Sequence, residues 1–268
     1  MKLTSGDTRA QVGGGAATTR ARRDNITEVD PPSAQREFSA YGPSHWIVLA
    51  VFAVGAVLVI RLGRAHRSVR SARRFGRVAG ASTLALYLVI YLSAMLPPTL
   101  SRSVPLRLTD LATMVAAYAL WSHRPWAYAL TYYWCLTLST QALVSPALHS
   151  PDFPDHEFLA FWAIHLVVVW AAIYLTWGIG MHPDWRSYWT AVAVTVVWVA
   201  VTFVFNSIAD TNYGFVNGKP STPSLLDVLG PWPWYLVTVA VVLLAVWALM
   251  TWPWTRTTPN PRRHRGPQ

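Results

Sequence analysis

Val192–Phe205 reads VAVTVVWVAVTFVF, fourteen residues without an ionisable group, inside a longer apolar run from Tyr188 to Ile208. Crossing a hydrocarbon core of about 30 Å takes roughly 20 such residues in helical form. The run is continuous, whereas a transmembrane barrel strand alternates apolar and polar residues over about ten positions, so a barrel is disfavoured. Six other stretches have the same character: Trp46–Leu62, Val78–Leu96, Pro105–Trp121, Pro125–Ser145, Glu157–Ile179 and Trp234–Trp252. Arg107 and Asp110 interrupt the third of them. Periodicity alone would allow buried helices of a large soluble protein, but Gly, Pro and Trp gather at the ends of the runs, as they do at bilayer interfaces. The expected fold class is all-α: a polytopic membrane helical bundle of about seven transmembrane helices.

Composition agrees with this reading. Hydrophobic residues make up 53% of the chain, charged residues 13%, and there are 15 tryptophans, too apolar and too aromatic for an ordinary soluble domain of this length. A net charge of +10 would suit nucleic acid, but its placement does not. Arg61, Arg64, Arg67, Arg70, Arg73, Arg74 and Arg77 fall in or beside the first inter-helix loop, where the positive-inside rule operates. With seven spans, Arg124, Arg186, Arg256, Arg262, Arg263 and Arg265 share that side, against Arg102, Arg107 and Lys219 in the opposite loops. The N-terminus is therefore expected outside and the C-terminus in the cytoplasm, in the cell membrane. The partners are membrane lipids, not nucleic acid. The spacing from Arg61 to Arg77 also predicts a basic stripe on a helix continuing from the first span, a generic contact for anionic lipid heads.

Three regions follow. Residues 1–43 are polar, rich in Gly, Ala, Thr and Arg, and lack an apolar period, which predicts a disordered tail. Residues 44–254 form the seven-helix transmembrane domain, and 255–268 a basic cytoplasmic tail. No signal peptide precedes the first run. No internal repeat of the transporter kind is evident.

Polar groups inside a bilayer are costly, and each is a functional candidate. At about 1.5 Å per residue, Asp110 lies about 7 Å from the outer side, His165 about 12 Å, and Gln141, Asn206 and Asn212 near outer helix ends. Leu166–Leu175, Ala191–Phe205 and Leu236–Met250 carry no Asp, Glu, Lys, Arg or His. A polar pocket in the outer half is expected, roofed by Asn212–Tyr235, which reads NYGFVNGKPSTPSLLDVLGPWPWY and contains Lys219 and Asp227. The ligand-binding candidates are Asp110, Gln141, Asn206, Asn212, Lys219 and Asp227. Structural readings stand beside these. Asp110 can pair with Arg107 one turn earlier, Asn206 and Gln141 can join helices, and His165 can satisfy a neighbouring backbone group. Cys135 suits a small core position. In the roof, Ser224 and Asp227 can start a short helix that Gly230 ends, with Trp232, Trp234 and Tyr235 anchoring the last span.

The order of motifs Pro105-Leu-Arg-Leu-Thr-Asp110, Tyr133-Trp134, Thr140-Gln-Ala-Leu143, Phe161-Trp-Ala-Ile-His165, Asn212-Tyr-Gly-Phe215 and Ser224-Leu-Leu-Asp-Val-Leu-Gly-Pro-Trp-Pro-Trp-Tyr235 resembles the YwaF-type bacterial integral membrane proteins. The resemblance covers about four fifths of the chain, from the first span to the last. Distant eukaryotic relatives of that family are similar to TMEM-type phospholipid acyltransferases that use a cysteine and a histidine. His165 matches the histidine, and the resemblance implies an acyl transfer activity with His165 as base. Leu106 stands where the thiol is expected. Cys135 and His165 would differ by only a few ångströms in depth within a core of about 30 Å, so a Cys135–His165 pair is geometrically open as the catalytic alternative. Small-molecule or lipid binding and transport without catalysis is the other reading. The scattered histidines and single cysteine carry no metal signature, and no cofactor is implied.

Overall fold

Proline at the start of a helix loses no hydrogen bond, because the first-turn N–H groups have no intrahelical acceptor. Pro43 and Pro125 both open helices in this way. The computed structural model describes residues 36–66, 68–101, 103–146, 148–219 and 225–256. The expectations for residues 1–35, for Arg67, Arg102 and the Ser224 cap, and for the tail beyond Arg256 lie outside the described residues.

The described chain is helical throughout, with one isolated bridge between Glu37 and Pro151. Helix α1 spans Pro43–Ala65, α2 Val69–Ala94 and α3 Leu108–Ser122. Helix α4 starts as Pro125–Leu130, widens into a π-helix over Thr131–Ser139 and returns to α form over Thr140–Val144. Helix α5 covers His156–Ile173 and likewise ends in a π turn, Tyr174–Gly178. Helix α6 is Trp185–Ala209 and α7 is Trp234–Arg256, with short 3-10 turns at Tyr213–Phe215 and Leu225–Leu229 between them. Five helices are long and apolar enough to cross a membrane: α1, α2, α5 with its π turn, α6 and α7. Helix α3 has 15 residues, about 22 Å of rise, and α4 is divided by its π stretch.

Helix α5 is the central element, with 61% of its span buried against 11% for α1 and 17% each for α6 and α7. The outer helices keep their Val, Leu and Trp faces exposed, as lipid-facing surfaces do. Glycines set the closest approaches. A Cβ on Gly63 would lie 2.4 Å from Gly178 Cα, and one on Gly76 2.3 Å from the Leu120 carbonyl oxygen, so α1 rests on the π turn of α5 and α2 lies along α3.

Two details differ from the sequence expectation. The arginines from Arg61 to Arg77 do not share one helix: α1 stops at Ala65, and Ser68 caps a new helix by accepting the Ser71 N–H at 3.1 Å. Residues 36–42 are docked. Phe38 N–H donates to Ser150 O at 3.0 Å, and its ring packs on His45, Phe158 and Trp162.

Phe38 sits beside Phe158 at the start of α5, and Trp254 stacks on His182 just beyond its end, ring centroids 4.6 Å apart. The two described chain ends thus lie at opposite ends of the bundle.

Candidate functional site

Asn206 closes the C-terminal end of α6. A carboxamide has two donors and an oxygen that accepts twice, and Asn206 uses all of them. Its Nδ2 donates to Tyr213 O at 3.0 Å and Asn217 Oδ1 at 2.9 Å; its Oδ1 accepts from Thr211 Oγ1 and Tyr213 N, both at 2.9 Å. Asn212 holds the next turn, donating to Gly218 O at 2.9 Å and accepting from Asn217 N at 3.2 Å. The loop is then tied to its surroundings. Tyr213 OH donates to Leu100 O and accepts from Val104 N, Trp232 Nε1 donates to Val216 O, and Tyr235 OH donates to Phe215 O. Lys219 Nζ lies 3.7 Å from Asp227 Oδ1 and 5.9 Å from the Tyr235 ring centroid. An ion pair this exposed contributes little to stability. Asn206 and Asn212 therefore build the roof.

Beneath the roof, Asp110 stands in the first turn of α3, where a carboxylate is favoured by the helix dipole. It shares charge interactions with Arg107, Tyr87 and Tyr91. The two tyrosines are one turn apart on α2, their rings stacked at 5.4 Å. Tyr91 OH donates to Ser103 O at 2.7 Å. Tyr87 is 5% exposed, and its hydroxyl faces the Asp110 carboxyl, the partner within its reach. Arg107 and Asp110 do not close into an ion pair among the described residues. Tyr87 was missed in the sequence; the signal was a Tyr-x-x-x-Tyr repeat on one helix face, ahead of the Arg107/Asp110 pair.

His165 lies one level further in. Its Nδ1 is 2.7 Å from the Phe161 carbonyl oxygen. A carbonyl only accepts, so Nδ1 carries the proton and Nε2 holds the lone pair. The ring is half-buried, 4.3 Å from that of Phe161, and Nε2 has no partner among the described residues. His45 is the contrast. It is fully buried, accepts from Tyr41 N at 2.9 Å through Nδ1 and faces Leu143 O at 2.9 Å through Nε2, so it ties the start of α1 to the end of α4.

Cys135 is enclosed in the π stretch of α4, which packs against α5, but shares no hydrogen bond with His165 among the described residues. The structure brings their helices together without joining the side chains. Gln141 is exposed at the C-terminal end of α4. Asp110 interacts with Tyr87, Tyr91 and Arg107, not with His165.

The other half of the bundle is filled by hydroxyls and indoles bonded to one another. Tyr133 OH meets Thr251 Oγ1 at 2.6 Å, Trp134 Nε1 donates to Thr195 Oγ1 at 2.8 Å, Trp247 Nε1 to Thr137 Oγ1 at 3.3 Å and Tyr128 OH to Met181 O at 2.8 Å. These bonds lock α4 to α6, to α7 and to the α5–α6 loop. The Tyr87–Asp110 pair and His165 lie outside this network.

A multi-pass helical membrane protein with a roofed polar layer on one side is the class these features define. The chain belongs to the TMEM164 family, which it matches over residues 40–251. No curated protein and no solved structure matches it.

Proposed function

We propose that the protein acts on membrane lipids in the outer half of the bilayer, with His165 as a general base for acyl transfer. The observation that carries this reading is the 2.7 Å contact between His165 Nδ1 and Phe161 O, which favours the neutral tautomer with its proton on Nδ1 and its lone pair on Nε2. A base needs that state at neutral pH. Nε2 takes the proton of a lipid hydroxyl, the oxygen attacks the ester carbonyl of an acyl donor, and the departing alkoxide recovers the proton. No acyl-enzyme is required. This accommodates Leu106 at the expected thiol position and the enclosed Cys135. The roof from Asn212 to Asp227 covers the headgroup, and Asp110, Gln141, Lys219 and Asp227 are its polar contacts. In this reading all seven rods cross the cell membrane, with the N-terminus outside.

The test is lipid turnover in vesicles containing a lysophospholipid and a diacyl phospholipid, followed by mass spectrometry. The wild type should yield acyl-exchanged lipid, His165→Ala should abolish it while keeping its thermal midpoint, and Cys135→Ala should retain it. Unchanged turnover in His165→Ala would sink the catalytic role.

A second reading, binding or transport without chemistry, is favoured by the enclosed Tyr87–Asp110 pair, a polar group placed within the helical bundle. It predicts that Asp110→Asn and Tyr87→Phe lower the amount of a co-purified ligand while no new lipid species forms in any variant.

A further inference from the structure

Helix α2 carries its charge in its first two turns and nowhere else: Arg70, Arg73, Arg74 and Arg77 precede the apolar stretch that begins at Val78. At 100° per residue these four positions fall within about 100° of one another around the axis. The face carrying Gly76 and Gly80 is pressed against α3 carbonyls; the arginine stripe runs beside that face, with Arg73 near enough to His123 at the end of α3 to act on its charge, and all four arginines are exposed. With Val69 they line an open, shallow groove on the surface of α2.

None of the four arginines forms an ion pair or a side-chain hydrogen bond among the described residues. Arg64, a few residues earlier, shows what an engaged arginine looks like: its Nε donates to Trp177 O at 3.2 Å, satisfying a carbonyl at the end of α5. Four like charges over two turns repel one another, and like-charge pairs at i,i+4 destabilise a helix. An anion that bridges them removes that penalty. Arginine forks favour phosphate, which they grip in bidentate fashion.

We propose that this groove is a specific site for a phospholipid whose headgroup carries two phosphates, as in a diphosphatidylglycerol. Two phosphates match two turns of arginines; a single phosphate leaves one turn uncompensated. The lipid source, as opposed to a free phosphate compound, follows from the groove's edges. Val69 and Val78 flank it at 72% and 67% exposure, and the site lies where the apolar part of α2 begins, at headgroup level. Apolar shoulders beside a cationic groove suit glycerol and acyl chains, not a soluble polyanion. The proposal concerns the arginine-rich end of the bundle and is independent of the chemistry assigned to His165.

The experiment uses the full chain in nanodiscs containing either diphosphatidylglycerol or phosphatidylglycerol at matched total charge, with native mass spectrometry counting retained lipid. The wild type should retain one diphosphatidylglycerol with about tenfold preference over phosphatidylglycerol, about 1.4 kcal/mol. Changing Arg70, Arg73, Arg74 and Arg77 together to Gln should remove that preference. A control with Arg61, Arg124, Arg186 and Arg256 changed to Gln has the same net charge and should keep it. Arg73→Gln alone should lower the preference severalfold and serves if the fourfold variant does not fold. Equal retention of the two lipids, or equal loss in groove and control variants, overturns the site in favour of generic surface charge. Displacement of the bound lipid by inorganic pyrophosphate at equal concentration overturns the lipid assignment.

Discussion

His45 and His165 sit in apolar helices of the same protein and use their nitrogens differently. His45 has both committed, one accepting a backbone N–H and the other facing a backbone carbonyl. Replacing it with Ala leaves Tyr41 N–H and Leu143 O unsatisfied, and the expected loss is about 1–3 kcal/mol of stability, read as a lower thermal midpoint with no direct effect on the chemistry of His165. Asn206 follows the same logic at the roof. Asn206→Ala removes four hydrogen bonds at once; residues 211–217 should exchange amide protons much faster, while the amides of α4 and α5 stay protected. If exchange in that loop is unchanged, Asn206 is not its organiser. None of these pairings was legible in the sequence, because a lone Asn or His in an apolar run looks the same whether its partner is a backbone group or a ligand.

At the scale of elements, contacts between helices depend on residues that leave room. Gly63 meets Gly178 across α1 and the π turn of α5, and Gly63→Val should cost about 1–3 kcal/mol by overpacking, seen as a lower midpoint in detergent. Equal stability would mean that α1 does not rest on that turn. Helix α6 begins with Asp184, which accepts from Ser187 N and Oγ, both at 2.7 Å. Partial burial pushes this carboxyl up, but the two Ser187 bonds outweigh it and hold its pKa below the ordinary value. A depressed folded-state pKa means that the stabilisation is fully present above the ordinary Asp range, near 3.9, and is lost as pH falls through the lower folded value. Asp184→Ala should therefore cost about 0.5–1 kcal/mol at neutral pH and converge with the wild type in acid. A gap that persists there would contradict the cap. The apolar runs were readable to within a few residues. The π stretches in α4 and α5 were not, since the same apolar residues suit either helical form; in α4 the π residues Tyr133, Trp134 and Thr137 bond across to Thr251, Thr195 and Trp247.

At the scale of the molecule, the described chain ends lie at opposite ends of the bundle, and arginines concentrate at the end that holds the start of α2 and the finish of α7. By the positive-inside rule that end is expected to be cytoplasmic. A tag on the C-terminus should be protected from protease in intact cells and one on the N-terminus should not; the reverse result would place the Asp110 and His165 layer in the inner half.

Its sequence alone determined that this protein is helical and membrane-embedded, because continuous apolar runs leave the backbone no other way to satisfy its hydrogen bonds in lipid. It also showed which end of each run carries the polar residues, since depth along a helix is proportional to residue number. Rotation about each axis and the pairing of rods are not so encoded. Only the tertiary structure decided that Tyr87 faces Asp110, that Cys135 and His165 share no hydrogen bond, that Asn206 serves the roof, and that the arginine stripe belongs to α2 alone.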